Sequence, residues 1–140
     1  MKNPEIIRTV RIVALNYDNQ VYGFIRPLNS KQRAGDVDFA GGKVNVGEEL
    51  EVAARREFEE ETGVAIDCQL AYHYGVSERE GDTWYMREYF ILQQRIAANE
   101  IKQLTEHIGM VCASKLAIIE LIDFIPHQEV LKCFDIPAVA

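Results

Sequence analysis

Between Arg8 and Leu15 apolar and polar side chains alternate and β-branched residues are prominent, and that period of two predicts a strand. Asn16-Tyr17-Asp18-Asn19-Gln20 supplies turn residues, and Val21 to Arg26 is expected to return as the hairpin partner. Pro27 to Gly35 reads as a polar, basic loop carrying Lys31 and Arg33, and Asp36 to Ala40 as a short strand that leads into Gly41-Gly42. From about Leu50 to Thr62 the period changes to that of a helix. Val64 to Val76 then reads as a strand, Glu78 to Asp82 as a charged turn, and Trp84 to Gln93 as a further strand with Trp84, Met86, Phe90 and Leu92 on one face. Asn99 to Glu106 is a polar loop or short helical turn, and Ile108 to Ala113 a last strand. Ser114 is the expected N-cap of a helix from Lys115 to about Ile122, which Ile125-Pro126 ends, and His127 to Phe134 forms a short closing helix. Hairpin, helix, long hairpin, strand and helix in this order predict an α+β fold, a mixed sheet between helical layers.

The helix from Leu50 carries the chemistry. At 3.6 residues per turn, Glu57, Glu60 and Glu61 fall seven residues after Leu50, Ala53 and Ala54 and share their stripe. Glu51, Arg55 and Glu59 fall on the opposite side at the spacing of i,i+4 ion pairs. An acidic run on a helix is ordinarily a solvated face. Here three carboxylates are phased toward the protein body, where like charges at that spacing repel unless a cation sits among them. With oxygen ligands only, the cation that suits them is hard and divalent, magnesium or manganese. Gly63 is placed to end this helix as a left-handed C-cap.

Composition narrows the partners. The 140 residues suit one domain, 1–140, and 48% apolar with 26% charged residues is the balance of a globular protein with a real core. A net charge of −7 argues against nonspecific binding to nucleic acid polymers, which needs a basic surface. Met1-Lys2-Asn3-Pro4-Glu5 lacks the apolar core of a signal peptide, and no apolar run is long enough to span a membrane, so a cytoplasmic protein is expected. Cys68, Cys112 and Cys133 are odd in number and far apart, which predicts reduced, buried thiols and not a disulfide or zinc framework.

The spacing of the segment is specific. Gly42, Glu48 after five residues, Arg56-Glu57 after seven more, then Glu60-Glu61 and Gly63-Val64 match the fixed positions of one signature. The chain resembles the Nudix hydrolases, and Gly42 to Val64 resembles a complete Nudix box, with Phe58 where the family usually has an aliphatic residue. The resemblance extends more loosely from about Arg8 to Phe134 and implies the Nudix α/β/α sandwich. It also implies a metal-dependent pyrophosphohydrolase that cleaves a diphosphate linkage in a nucleoside diphosphate derivative. By the same resemblance Glu57, Glu60 and Glu61 bind Mg2+ or Mn2+, joined by the carbonyl of Gly41. Arg56 orients the first glutamate, Glu48 helps fix the loop, and Glu106 stands where many members carry a further ligand or general base. Arg26 takes the place of a substrate-binding arginine, with Pro27 where a second arginine is common.

Other positions depart from the family. Val37-Asp38-Phe39-Ala40 precede the double glycine without the usual Trp and Pro, and Cys112 stands where a Trp is often found in the final strand. Phe39, Trp84, Tyr85 and Tyr72 are the aromatic candidates for stacking a base, although an aromatic in an alternating strand ordinarily serves the core. His73, His107 and His127 are isolated and read as structural or exposed, His107 being next to Glu106. The markers of ADP-ribose and of dinucleoside polyphosphate hydrolases are missing, with Glu78-Arg79-Glu80 and Gly81-Asp82 in their places. These absences lean toward a MutT-like nucleoside triphosphatase that releases pyrophosphate, with ADP-ribose or another sugar nucleotide as the alternative and a non-catalytic nucleotide sensor as a competing class. Dimers are common among relatives, so a homodimer stays open.

Overall fold

The computed structural model of the chain describes residues 3–67 and 70–136, and for 71–74 the strand they form without its side chains. The elements in order are β1 (Glu5–Leu15), β2 (Val21–Ile25), β3 (Val37–Asp38), β4 (Ala40–Lys43), α1 (Leu50–Thr62), β5 (Leu70–Glu80), β6 (Thr83–Arg95), a 3₁₀ turn (Ala98–Glu100), β7 (Gly109–Ala113), α2 (Lys115–Leu121) and α3 (Ile125–Cys133). The sheet runs β3-β2-β1-β6-β5, with β4 paired to β1 and β7 to β2. Among the described residues only β1 and β6 run parallel, from Glu5↔Thr83 to Val13↔Ile91, so the sheet is mixed.

Alternation along β1 sorts the two faces. Val10, Ile12 and Ala14 pack with Tyr22, Phe24, Phe90 and Leu92 against Ala53, Ala54 and Phe58 of α1. Val13 and Leu15 turn to the other face, where Ile118, Ile122, Val130 and Leu131 of the α2–α3 layer cover them. The fold is therefore an α+β sandwich with α1 on one side of a mixed sheet and α2 and α3 on the other. Phe58 is fully buried, and truncating such a side chain to Ala costs about 3–5 kcal/mol. It anchors the helix that carries the glutamates.

Several elements differ from the sequence-based expectation. The β1–β2 hairpin holds one register pair, Leu15↔Val21, and β2 then leaves to pair with β3 and β7. The reason is that β4 occupies the edge of β1 from Thr9 to Ile12. The expected strand at Asp36–Ala40 divides at Phe39: β3 pairs with β2, and β4, containing both glycines, pairs with β1. β5 starts at Leu70 and continues through Glu80, so the charged turn shrinks to Gly81-Asp82, with Gly81 at φ +60°. The inner half of β6 is buried on both faces, since Tyr89 and Ile91 join the α2–α3 side, while Trp84 lies 37% exposed. Ser114 caps α2 by accepting a hydrogen bond from Ala117 N–H at 3.2 Å. Ile125-Pro126 opens α3, because a proline in the first turn forfeits no helical hydrogen bond. Cys68 and the side chains of Tyr72 and His73 lie outside the described residues, and Cys133 is exposed, not buried.

Candidate active site

The glycine pair brings β4 against both the sheet and α1. A Cβ on Gly41 (φ +154°) would lie 1.9 Å from the Val10 carbonyl oxygen, so only glycine permits this approach. A Cβ on Gly42 would lie 2.6 Å from the carboxylate carbon of Glu57, which rests directly on that backbone. Gly41 N–H donates to Glu61 Oε2 at 2.8 Å. The two glycines thus seat one box glutamate each.

Arg56 organises the outer side of the helix. Its Nε and Nη2 donate to the two oxygens of Glu48 at 2.8 and 2.9 Å, and Nη2 also reaches the Lys43 carbonyl at 3.1 Å. Its Nη1 reaches Glu57 Oε1 at 2.9 Å and Glu60 Oε2 at 3.2 Å. The forked pair is the strong form of a carboxylate–arginine contact. It holds the Glu48 carboxyl down at about 2 and raises the Arg56 guanidinium further above its usual range. Glu48 Oε1 in turn accepts from Asn45 N–H at 3.0 Å, closing the loop before α1. Glu60 departs from the expected phasing. Its side chain is 58% exposed and folds outward onto Arg56, because seven residues at 100° each fall about 20° short of two turns and the stripe drifts. On the far side of α1, Arg55 donates to the Ile66 carbonyl at 3.0 Å, where ion pairs with Glu51 and Glu59 were expected.

Glu61 is the most confined carboxylate in this region. It is 3% exposed, and its Oε1 is buried without a hydrogen-bond partner. Burial pushes its carboxyl up to about 8 against the pull of Gly41 N–H and Arg11, and Glu106 raises it further. Glu57 is raised as well, first by burial and then by Glu60 and Glu106 against the pull of Arg56. The structure thereby brings Glu106 to Glu57 and Glu61, although forty-five residues separate Glu106 from Glu61. The connection is the end of α1: its free carbonyls accept from the 102–105 loop, with Lys102 N–H on Thr62 O at 3.0 Å and Gln103 Nε2 and Thr105 Oγ1 on Glu60 O at 2.7 and 2.8 Å. Gly63, at φ +77°, ends the helix with its N–H on Glu59 O at 2.8 Å, as its place in the sequence predicted. His107 packs its ring 5.5 Å from that of Phe24, and burial lowers it.

Among the described residues no three His, Cys, Asp or Glu side chains form a ready-made cage for an ion. Arg56 accounts for that, since it engages Glu57 and Glu60. The oxygens nonetheless fit a hard divalent cation: an orphaned buried oxygen on Glu61, a desolvated Glu57, and Glu106 adding charge to both. Gly41 lies beside them.

On the other side of Gly42 and Lys43 a cleft of about 310 Å3 opens, lined also by Ile7, Thr9, Arg11, Arg26, Gln32, Arg33, Tyr85 and Arg87. Arg26 is part of this lining. Phe39 is not. It is fully buried, packed edge-on to Tyr89 and against His127, so it belongs to the core and cannot stack a base. Among the described candidates Tyr85 reaches the cleft, while Trp84 pairs with Arg79.

Sequence reasoning missed what supports the cleft. Asp38 is fully buried, with Oδ2 2.8 Å from Arg26, 3.5 Å from Arg11 and 3.8 Å from Arg33. Its Oδ1 accepts from Phe39 N–H at 2.8 Å and lies 2.5 Å from His127 Nε2, whose Nδ1 lies 2.6 Å from the Tyr89 hydroxyl. Burial alone would raise Asp38, yet the Arg11 charge, the hydrogen bond from His127, and Arg33 hold it well below the usual carboxylate range. His127 is pushed down to about 4 by burial, against the pull of Asp38, so it is neutral and bridges Tyr89 to Asp38. The available signal was a charge inside each apolar stretch, Arg11 between Val10 and Ile12 and Asp38 between Val37 and Phe39.

The fold has close parallels among solved structures. A MutT protein from Methanosarcina mazei Go1 superposes with a TM-score of 0.78 at 24% identity, over 94% of each chain. The E. coli ORF135 protein gives 0.75 at 22% identity, over 94% of this chain and 89% of that one. A C. elegans Ap4A hydrolase gives 0.71 at 16% identity, over 90% and 93%. No curated protein matches the sequence. Residues 6–129 match the family pattern described as the NUDIX domain. Taken with the carboxylates gathered at the glycine loop, that match means the chain belongs to the NUDIX family, as a hydrolase acting on phosphoric anhydrides.

Proposed function

We propose that the protein is a divalent-metal-dependent pyrophosphohydrolase whose first substrate class is nucleoside triphosphates, cleaved to the monophosphate and pyrophosphate. The observation that carries this reading is the meeting, across Gly41-Gly42, of the Glu57–Glu61–Glu106 carboxylates with an arginine-lined cleft. A diphosphate spanning that junction would put its scissile region at the carboxylates and its remaining charge toward the arginines. Mg2+ or Mn2+ held by Glu57, Glu61 and the Gly41 carbonyl, with Glu60 once released from Arg56, would supply positive charge to the phosphates and acidify a water.

The chain's own groups do the rest. Arg56, clamped by Glu48, fixes the Glu57 carboxylate over Gly42. Burial keeps Glu61 largely protonated near neutrality until positive charge arrives beside it. Glu106, exposed on a loop pinned to α1, would take a proton from water at the same point. In this reading the protein works in the cytoplasm on small nucleotides, its acidic surface disfavouring nucleic acid polymers.

Hydrolysis of ADP-ribose or another sugar nucleotide is the alternative substrate class, and the likeness to an Ap4A hydrolase adds dinucleoside polyphosphates to the compounds to test. A non-catalytic sensor would ordinarily have lost a box glutamate or the arginine, and here all remain. The test is a phosphate-release screen over nucleoside triphosphates, sugar nucleotides and dinucleotides, with millimolar Mg2+ or Mn2+ and with chelator. Turnover that stops in chelator is expected. Undiminished turnover in excess chelator would remove the metal from the reading, and no turnover of any compound would favour the sensor.

A further inference from the structure

Arg11 from β1, Arg26 at the end of β2, Arg33 from the following loop and Arg87 from β6 bring four guanidinium groups to one cleft, which Lys43 borders as well. In a chain of net charge −7 such a concentration of positive charge is not a background feature. Arg11, Arg26 and Arg33 all face the single carboxylate of Asp38. Arg87 pairs at 3.1 Å with Glu78, itself 47% exposed, where solvent weakens the contact. Three positive charges on one carboxylate leave the group under-neutralised. Two of its donors, Nε of Arg11 and Nη1 of Arg33, are buried with no acceptor. Burial together with the neighbouring guanidiniums lowers Arg33, in spite of Asp38.

The arginines are also held in place. The Phe124 ring, at the start of α3, lies under Arg33 at 4.0 Å and under Arg87 at 4.7 Å, and the Tyr85 ring lies 5.1 Å from Arg87. Asp38 is itself fixed by Phe39 N–H and by the His127–Tyr89 chain. Ordering four long side chains in advance reduces the entropy lost when an anion binds. A phosphate offers oxygens with the spacing of a guanidinium fork, and a charge to meet the arginines, which a neutral base does not.

We propose that this cleft is a phosphate subsite, binding a part of the substrate that lies beyond the scissile linkage and carries a phosphate of its own. The inference rests on the proposed function for where the scissile linkage lies. The phosphate has two sources, the terminal phosphate of a nucleoside triphosphate or a phosphate ester on the sugar at the far end of a diphosphate. Both offer the same dianion to the arginines.

Two matched pairs of probes test it: ATP against ADP, and 2′-phospho-ADP-ribose against ADP-ribose. Dissociation constants are measured by calorimetry at constant ionic strength, in chelator so that turnover does not interfere. In the native chain the extra phosphate should tighten binding at least tenfold in one pair or both. Arg33→Gln and Arg87→Gln, each checked for folding by circular dichroism, should reduce that factor to threefold or less in at least one of them. A response in the ATP pair assigns the subsite to the chain terminus, and a response in the ADP-ribose pair assigns it to the sugar ester. Equal affinities within both pairs, or a preference unchanged in both variants, overturn the proposal. Preference without hydrolysis of any nucleotide would leave the subsite standing and remove the catalytic reading. Hydrolysis without preference would do the reverse.

Discussion

Asp38→Asn isolates the electrostatic support of the cleft with almost no change in shape. In the native chain one oxygen of Asp38 meets Arg26 at 2.8 Å with Arg11 and Arg33 behind it, and the other accepts from Phe39 N–H. An asparagine can keep the bond from Phe39 only by turning its amide NH2 toward Arg26, donor against donor. The substitution also leaves Arg11 and Arg33, 13% and 20% exposed, without their counter-charge. Removing one partner of a buried ion pair costs about 3–5 kcal/mol. With an unfolding entropy of about 2.1 cal/mol/K per residue, each kcal/mol lowers the Tm of a 140-residue chain by roughly 3.4 °C, so the fall should be roughly 10–17 °C. Urea denaturation at pH 7 and a thermal scan both read it. A second substitution, Arg33→Gln in the Asp38→Asn background, should recover part of the loss, because it removes one of the stranded charges. A loss below about 1 kcal/mol would show that solvent already neutralises the arginines, and the argument for a poised cationic cleft would fail with it.

Glu61→Gln should lower kcat by orders of magnitude while Glu59→Gln, on the exposed face, stays within a few-fold; equal losses in a steady-state assay would refute the placement of the two side chains. Glu106→Gln should cut kcat by ~10²-fold or more with KM little changed if it accepts the proton, and a pH–rate profile that keeps its acidic limb would move that role to the helix. Gly42→Ala should reduce kcat at least ~10-fold and Tm only modestly, because the new methyl group meets the flexible end of Glu57, not backbone; an unchanged kcat would show that Glu57 acts from another position. His127 stays neutral in the fold down to about pH 4 but takes a proton from about pH 6.5 when unfolded, so its contribution to stability falls as pH drops through that window. The lost stability is up to about 3 kcal/mol, and the difference between the native chain and His127→Gln in urea titrations at pH 7 and pH 4.5 should shrink accordingly; a difference independent of pH would mean that His127 takes its proton in the fold as readily as in the unfolded chain.

Local rules made much of the architecture legible in the sequence. The period of two in β1 and β6, the Ser114 cap, the Gly63 stop and the apolar stripe of α1 each follow from interactions within a few residues, which nearest-neighbour chemistry determines. The box spacing likewise fixed which glutamates share a helix with the glycine loop, and Glu61 emerged at Gly41 as that phasing implies. Glu60 shows the limit of such reasoning. Its helical angle lies between inward and outward, and a nearby Arg56 decided the matter by offering an ion pair at the surface.

Tertiary structure decided what depends on residues distant in the chain. Whether β2 stays with β1 turns on which strand takes the free edge of β1, and β4 takes it because Gly41 allows an approach that a Cβ would block. Phe39 was one of four candidates for stacking a base and is core, because the division of the strand at Phe39 turns its ring to the side that α2 and α3 cover. Asp38 and His127 are 89 residues apart, and neither carries a local signal of the other. The arginine cleft draws on three strands, a loop and the start of α3, so no window of sequence contains it. Burial and unlike charges at long separation set its chemistry, and both exist only once the chain has closed on itself.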